Sequence, residues 1–151
     1  MEKILVLDFG GQYKQLIARR VRSAHVYAEI IPYNKITTDE IKKNGYKGII
    51  FTGGPNSVYD EASPHYTADI LNLKIPILGI CYGHQLMAYM AGGEITSAKD
   101  SSEYGKTEVT FENSVLFEGV PKESICWMSH TDYVKTPPKG FKVIAYTEKC
   151  P

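Results

Sequence analysis

Residues 77–83 read Ile-Leu-Gly-Ile-Cys-Tyr-Gly, and this stretch decides the fold of the chain. It joins a short apolar run, typical of a buried strand, directly to a helical segment that continues to about Ala91. The Gly-x-Cys-x-Gly pattern is the cysteine counterpart of the Gly-x-Ser-x-Gly nucleophile elbow. So sharp a turn strains its central residue and brings neighbouring backbone close, so both flanking positions need glycine. The pattern predicts that Cys81 lies above the carboxyl ends of the strands, where open α/β sheets bind their ligands.

Cys81 taken alone is most simply a small buried apolar side chain, as free cysteines usually are. Within the elbow a nucleophile is favoured, because the positive end of the following helix stabilises the thiolate. The Gly53-Gly54-Pro55 turn, which follows the preceding strand, could place a backbone N–H over the sulfur. Together with the N–H of Tyr82 it would form an oxyanion hole, although an ordinary glycine turn explains the same residues. Gln85 could reach back from the helix towards a substrate, or lie at the surface.

The sequence before the elbow alternates between buried strands and helices. The predicted strands cover residues 4–9, 26–31, 48–52 and 77–80, and the predicted helices cover residues 13–24, 37–45, 63–71 and 83–91. The buried stripe of the first helix is predicted to contain Tyr13, Leu16, Ile17, Val21 and Ala24. Thr37 and Glu40 match a capping box, and Ser63-Pro64 matches an N-cap followed by proline. This alternation predicts a doubly wound, mostly parallel open sheet with helices on both faces, an α/β fold.

The pattern changes after Gly93. Residues 107–111 alternate between polar and apolar, and residues 124–128 and 142–147 are two further strand candidates. These segments predict a small antiparallel β annex beside the parallel sheet. No segment resembles an interdomain linker, so we expect a single domain over residues 1–151.

Composition excludes several classes of protein. The 151 residues carry 17 Lys plus Arg and 17 Asp plus Glu, a balance that argues against nucleic-acid and anionic-membrane partners. No apolar run is long enough for a membrane span, and the first residues do not match a signal peptide. Cys81, Cys126 and Cys150 show no metal-type spacing, so neither a metal site nor a disulfide framework is expected. We interpret Cys126 and Cys150 as structural and expect a cytoplasmic location.

Three further segments give a more specific indication: residues 5–22, residues 53–59 and the Trp-Met-Ser-His stretch at 127–130. With the elbow, in this order and spacing, they are similar to class I (triad-type) glutamine amidotransferase domains. Within that class the chain resembles the glutaminase domains of GMP synthases over its whole length. The resemblance implies a flavodoxin-like sheet of the class I amidotransferase type.

The resemblance also implies roles for individual residues. Cys81 would attack the side-chain amide of glutamine, giving a thioester and ammonia, and water would then release glutamate. The oxyanion would be held by the N–H groups of Gly54 and Tyr82. The residues implied in substrate binding, some of which could instead face the synthetase domain, are Gln85, Ser129, His130 and Asp132.

In this family the ammonia passes to an ATP-pyrophosphatase domain, which adenylates xanthosine monophosphate and aminates it to GMP. The implied partners are therefore glutamine and that synthetase domain or subunit, with no nucleic acid and no membrane. ATP and magnesium belong to the synthetase domain, so no cofactor is expected in the glutaminase domain itself.

The chain departs from the family pattern at several positions. Gly11, His84 and Thr131 stand where serine, methionine and glycine are usual. The family's catalytic His-Pro-Glu segment does not occur, because no histidine in the sequence is followed two residues later by glutamate. We therefore expect a C-terminally shortened glutaminase domain whose base comes from outside these residues, with His84 a solvent-facing or interface side chain. A non-catalytic partner module that keeps the glutamine pocket, or an unrelated cysteine hydrolase, are the alternatives.

Overall fold

Four parallel strands form the sheet of the first part of the chain. They are β1 (Lys3–Asp8), β2 (Tyr27–Pro32), β3 (Gly48–Phe51) and β4 (Ile77–Gly79), hydrogen-bonded in the order β2-β1-β3-β4. The computed structural model describes residues 1–97 and 102–150, which form two compact units, Met1–Ala91 and Gly92–Pro151. The predicted parallel α/β architecture is confirmed, and the register pairs Phe51 with Gly79, so β3 and β4 end side by side.

The core of this sheet follows from the apolar character of its strands. Leu5, Val6 and Leu7 on β1 are fully buried, and the exposed fractions of Ile49 and Phe51 on β3 are 1% and 0%. Strands buried on both faces read as continuous apolar runs, which is why they were visible in the sequence.

Three α-helices accompany the sheet: α1 (Lys14–Ser23), α2 (Thr38–Asn44) and α3 (Tyr82–Met90). The capping box of α2 is confirmed, since Thr37 Oγ1 accepts from the Glu40 N–H and the Glu40 carboxylate accepts from the Thr37 N–H. Gly45 ends this helix with φ 68°, a left-handed conformation that favours glycine.

The predicted buried stripe of α1 is partly wrong. Ile17 and Val21 do pack against the core, but Tyr13 and Leu16 are 68% and 47% exposed, and Ala24 is exposed as well. The buried residue of α1 is Ala18, which belongs to a core cluster with Val6 and Ala28. A small side chain at this position lets the helix lie close to the sheet.

The helix predicted for residues 63–71 is also wrong, because this segment is a loop that ends in a 3₁₀-helix at Ala68–Asn72. The Ser63 hydroxyl donates to the Ser57 carbonyl oxygen at 2.6 Å and so does not cap a helix. Tyr66 donates its hydroxyl proton to the Ile36 carbonyl oxygen at 2.6 Å. These non-local bonds satisfy the polar groups of the segment without a helix.

The second unit is built from antiparallel strands, as predicted for the annex. Strand β5 (Glu94–Ser97) pairs with β8 (Asp132–Thr136), and β6 (Glu103–Phe111) pairs with both β7 (Glu123–His130) and β9 (Ala145–Tyr146). The strand predicted over residues 142–147 is thus only two residues long.

Across the described ranges, no helix is long and apolar enough to cross a membrane. A single domain over residues 1–151 stays a prediction.

Candidate active site

Cys81 lies at the predicted strand-to-helix turn and is the N-cap residue of α3. Its backbone has φ 52° and ψ −117°, a strained conformation for a residue with a side chain. The residue is exposed. The strained turn thus holds a solvent-accessible thiol at the N-terminus of a helix.

The two glycines of the elbow are required by close packing. A Cβ atom added to Gly79 would lie 2.6 Å from the Cα atom of His84. A Cβ atom added to Gly83 would lie 2.5 Å from the carbonyl oxygen of Phe51. Both neighbours are backbone atoms, so neither can move aside without displacing β3 or α3.

The Gly53-Gly54 turn lies directly beside the elbow, because β3 and β4 are neighbours in the sheet. An added Cβ on Gly53 would lie 3.7 Å from the Cβ atom of Cys81. An added Cβ on Gly54 would lie 2.7 Å from the ring of Tyr82, so the turn and the ring are in tight contact. The structure therefore brings Gly54 beside Cys81 and Tyr82, which follow it by 27 and 28 residues in the sequence.

Two backbone N–H groups of this region are free to donate. As the first residue of α3, Tyr82 has an N–H without a partner inside the helix. Within residues 1–97 and 102–150, neither this group nor the Gly54 N–H donates to another protein group. Such donors beside a thiol can stabilise the negative charge that develops on an acyl oxygen when sulfur attacks.

The Tyr82 side chain anchors the elbow. Its ring is buried at 3% exposure and lies against Phe9, with the ring centroids 6.1 Å apart. Its hydroxyl donates to the Pro64 carbonyl oxygen, and burial raises the pKa of the phenol above its ordinary value. The long loop before the 3₁₀-helix is thereby attached to the first turn of α3.

Gln85 lies one turn further along α3, and its N–H donates to the carbonyl oxygen of Cys81 at 3.2 Å. The side chain is half-buried. His84, on the same helix, is exposed, as expected. Both residues are thus carried by the helix that starts at the thiol.

The other predicted binding residues belong to the second unit. Ser129 and His130 end β7, and Asp132 begins β8, with Thr131 between the two strands. Ser129 is exposed, whereas His130 and Asp132 are half-buried. The Thr131 hydroxyl hydrogen-bonds with the Tyr104 hydroxyl at 2.6 Å, which connects the turn to β6.

Glu103 is a residue that the sequence did not indicate. Its side chain is 3% exposed and accepts from His130 Nε2 at 2.9 Å and from the Thr147 hydroxyl. Burial raises the pKa of this carboxyl, but the hydrogen bonds from Thr147, His130 and Cys150 outweigh it and bring the pKa below its ordinary value. For the Cys150 thiol, burial and then the nearby carboxylate raise the pKa to about 11. Since these three partners follow Glu103 by 27 to 47 residues in sequence, no local pattern could reveal them.

The side chains of Glu103, His130 and Cys150 could also offer ligand atoms to a metal ion, since one atom from each lies within 4.8 Å of the others. In this structure these side chains hydrogen-bond with one another, because the His130 imidazole and the Cys150 thiol both bond to the Glu103 carboxylate. That the domain uses no metal stays a prediction.

Comparisons with known proteins identify the family of the chain. Residues 5–150 match the model of the family described as glutamine amidotransferase class-I. The chain is 58% identical to a GMP synthase [glutamine-hydrolyzing] of Clostridium perfringens over 149 residues, covering 98% of this chain and 29% of that protein. It is 60% identical to the enzyme of the same name from Ruminiclostridium cellulolyticum, covering 99% of this chain and 29% of that protein. The chain thus spans less than a third of the length of these relatives.

A solved structure extends the comparison to the fold. The crystal structure of a Thermoplasma acidophilum protein, described as one subunit of a GMP synthase, superposes with a TM-score of 0.81 at 31% identity. The match covers 99% of this chain and 75% of that one.

Proposed function

Because the chain belongs to the class I glutamine amidotransferase family, we propose that it hydrolyses glutamine through Cys81 to supply ammonia to a GMP synthase. The observation that carries this proposal is the strained, exposed Cys81 beside the Gly53-Gly54 turn. The family match covers residues 5–150 and so includes all residues of the candidate site.

The chemical step begins with the sulfur of Cys81. Its thiolate attacks the side-chain amide carbon of glutamine, and the carbon–sulfur bond forms while the carbonyl oxygen becomes an oxyanion. The N–H groups of Gly54 and Tyr82 donate to that oxyanion. When the carbonyl re-forms, the carbon–nitrogen bond breaks, and ammonia leaves with one added proton. Water then hydrolyses the thioester to glutamate.

The proton transfers need a group that the elbow does not contain. The amide nitrogen leaves as ammonia only when it gains a proton, and a free thiol is a weak nucleophile until it loses its proton. The sequence contains no His-x-Glu segment. Within the described ranges, the one histidine–carboxylate ion pair is His130 with Glu103. We propose that the base which serves Cys81 lies outside these 151 residues.

Four residues are proposed to bind the substrate. Gln85 lies on the helix of the nucleophile, and its amide can hydrogen-bond to the substrate. Ser129, His130 and Asp132 offer a hydroxyl, an imidazole and a carboxylate to the amino and carboxyl groups of glutamine. Asp132 is suited to the ammonium group because the two charges are opposite.

The ammonia would be used by a synthetase domain. In this proposal the partner is an ATP-pyrophosphatase domain or subunit that binds ATP and magnesium and converts xanthosine monophosphate to GMP. The names of the two curated relatives support it, because both are glutamine-hydrolysing GMP synthases that are more than three times the length of this chain. A role in purine nucleotide biosynthesis in the cytoplasm follows from the same proposal.

The experiment compares two chains in the same assay. One is the 151-residue chain, and the other continues through about forty further residues with a His-x-Glu segment, because such a pair supplies the acid–base steps. We expect steady-state ammonia release from glutamine with the longer chain and little or none with the shorter chain. Cys81→Ala in the longer chain is the control and should abolish release. Release that survives this substitution, or none from the unsubstituted longer chain, would overturn the proposed function.

A further inference from the structure

Thr52 lies between the buried end of β3 and the Gly53-Gly54 turn, and its hydroxyl both accepts and donates a hydrogen bond. The Phe9 N–H donates to Thr52 Oγ1 at 2.9 Å, and Thr52 Oγ1 donates to the carbonyl oxygen of Gly53 at 2.9 Å. An N–H can only donate and a carbonyl can only accept, so the direction of both bonds is fixed. The residue is completely buried.

These bonds determine how the peptide group between Gly53 and Gly54 is turned. The described residues contain no cis peptide bond, so the Gly53 carbonyl and the Gly54 N–H point in opposite directions. The carbonyl is held on the side of the Thr52 hydroxyl. It also lies close to Gly11, where an added Cβ atom would be only 2.6 Å from the Gly53 oxygen. The Gly54 N–H must therefore lie on the other side of the peptide group.

Glycine backbone has little intrinsic preference, so a Gly-Gly peptide can turn over at low cost unless something holds it. A peptide turned over here would direct the Gly53 carbonyl, rather than the Gly54 N–H, at the oxyanion. We propose that Thr52 is a positioning residue whose hydroxyl keeps the Gly54 N–H directed at the oxyanion formed at Cys81. This inference rests on the proposed function, since it concerns the same oxyanion hole.

The hydroxyl acts through the turn and does not touch the substrate, so its removal should affect only steps that develop an oxyanion. Acylation of Cys81 by an activated γ-glutamyl ester is such a step: the carbon–sulfur bond forms, an oxyanion appears, and p-nitrophenolate leaves without added acid. Alkylation of Cys81 by iodoacetamide is not, because sulfur displaces iodide at carbon and no oxyanion forms. The ratio of the two rates isolates the oxyanion hole from the reactivity of the thiol.

The experiment measures both rates for the 151-residue chain and for Thr52→Val, which keeps the shape of the side chain and removes the hydroxyl. The p-nitrophenolate burst is read as one equivalent per chain, with Cys81→Ala as the background. Loss of one oxyanion-hole donor costs about 100- to 1000-fold. For a donor that is misdirected part of the time, we expect acylation to fall about tenfold or more, with alkylation within about twofold of the original rate.

Two further variants complete the design. Thr52→Ser keeps the hydroxyl and should restore acylation. Thr38→Val removes another threonine hydroxyl of the same unit, one that donates to the Asp69 carboxylate, and should leave both rates unchanged.

Each outcome has a separate meaning. Unchanged acylation in Thr52→Val overturns the positioning role. Equal losses of acylation and alkylation also overturn it, because they show a general disturbance of the elbow. If the unsubstituted 151-residue chain gives no burst above the Cys81→Ala background, the same rates are compared in the longer chain with its His-x-Glu segment. A burst that is absent there too overturns the proposed function and the positioning role with it.

Discussion

Gly83 packs so closely against Phe51 that a Cβ atom on the glycine would lie 2.5 Å from the carbonyl oxygen of Phe51. This contact joins the first turn of α3 to the end of β3, and it fixes the thiol of Cys81 relative to the Gly53-Gly54 turn. The relationship explains why the helix can begin directly after the nucleophile position.

Gly83→Ala should destabilise the chain, because the added methyl group meets backbone on β3 and cannot be relieved by a side-chain rotation. Overpacking in a close-packed core costs about 1–3 kcal/mol, and we expect a loss of that size in the free energy of unfolding in urea. Gly53→Ala is the matched control, since its Cβ would be in ordinary contact at 3.7 Å. Equal stability of the two variants would contradict the packing argument.

Glu103→Gln should destabilise the chain at neutral pH, because the buried carboxylate accepts from His130 and Thr147. A hydrogen bond to a charged group contributes about 1.5–3 kcal/mol. The pKa of Glu103 in the folded chain lies below the ordinary value of 4.5. The carboxylate therefore stabilises the fold above pH 4.5, and this contribution is lost as the pH falls through the folded-state pKa.

Urea unfolding of the original chain and of Glu103→Gln between pH 7 and pH 3 tests the linkage. The difference in stability should be largest near neutral pH and should shrink towards acid. A difference that is constant over the whole range would show that the charge of Glu103 contributes nothing.

Cys150 should react slowly with alkylating reagents in the folded chain. Its pKa is raised from 9.0 to about 11, first by burial and then by the Glu103 carboxylate. At pH 8 the thiolate fraction is then roughly 100-fold lower than for an ordinary thiol, and the thiolate is the reactive form. Iodoacetamide rates for Cys150 in folded and urea-unfolded chains, read by peptide mass mapping, provide the comparison. A folded-state rate equal to the unfolded one would refute the prediction.

Local sequence patterns predicted those parts of the molecule whose structure is determined locally. The elbow glycines, the apolar strands and the Thr37–Glu40 capping box all depend on residues within one turn or one strand, and each was confirmed. The turn at Gly54 was placed correctly beside Tyr82 because adjacent parallel strands end at the same edge.

Local patterns did not predict the parts of the structure that depend on non-local contacts. Ser63-Pro64 has the local pattern of a helix start, yet its hydroxyl bonds to Ser57 and the segment remains a loop. The Glu103 cluster depends on β6, β7 and the last described residues meeting in space, and nothing near Glu103 in sequence indicates this. The role of Thr52 had one weak signal, a hydroxyl residue directly before Gly-Gly, whose meaning became clear only from its bond to Phe9.

The most direct test of the account is covalent labelling of the folded 151-residue chain with a diazoketone analogue of glutamine, followed by peptide mass mapping. The account predicts that Cys81 is labelled rapidly, and that Cys126 and Cys150 are labelled about tenfold more slowly or less. Among the three cysteines, only Cys81 combines exposure with a helix N-terminus. Excess glutamine should protect Cys81, and urea should remove the selectivity. Equal labelling of the three cysteines in the folded chain, or labelling of Cys81 that glutamine does not slow, would contradict the central claim that the elbow holds a glutamine-directed nucleophile.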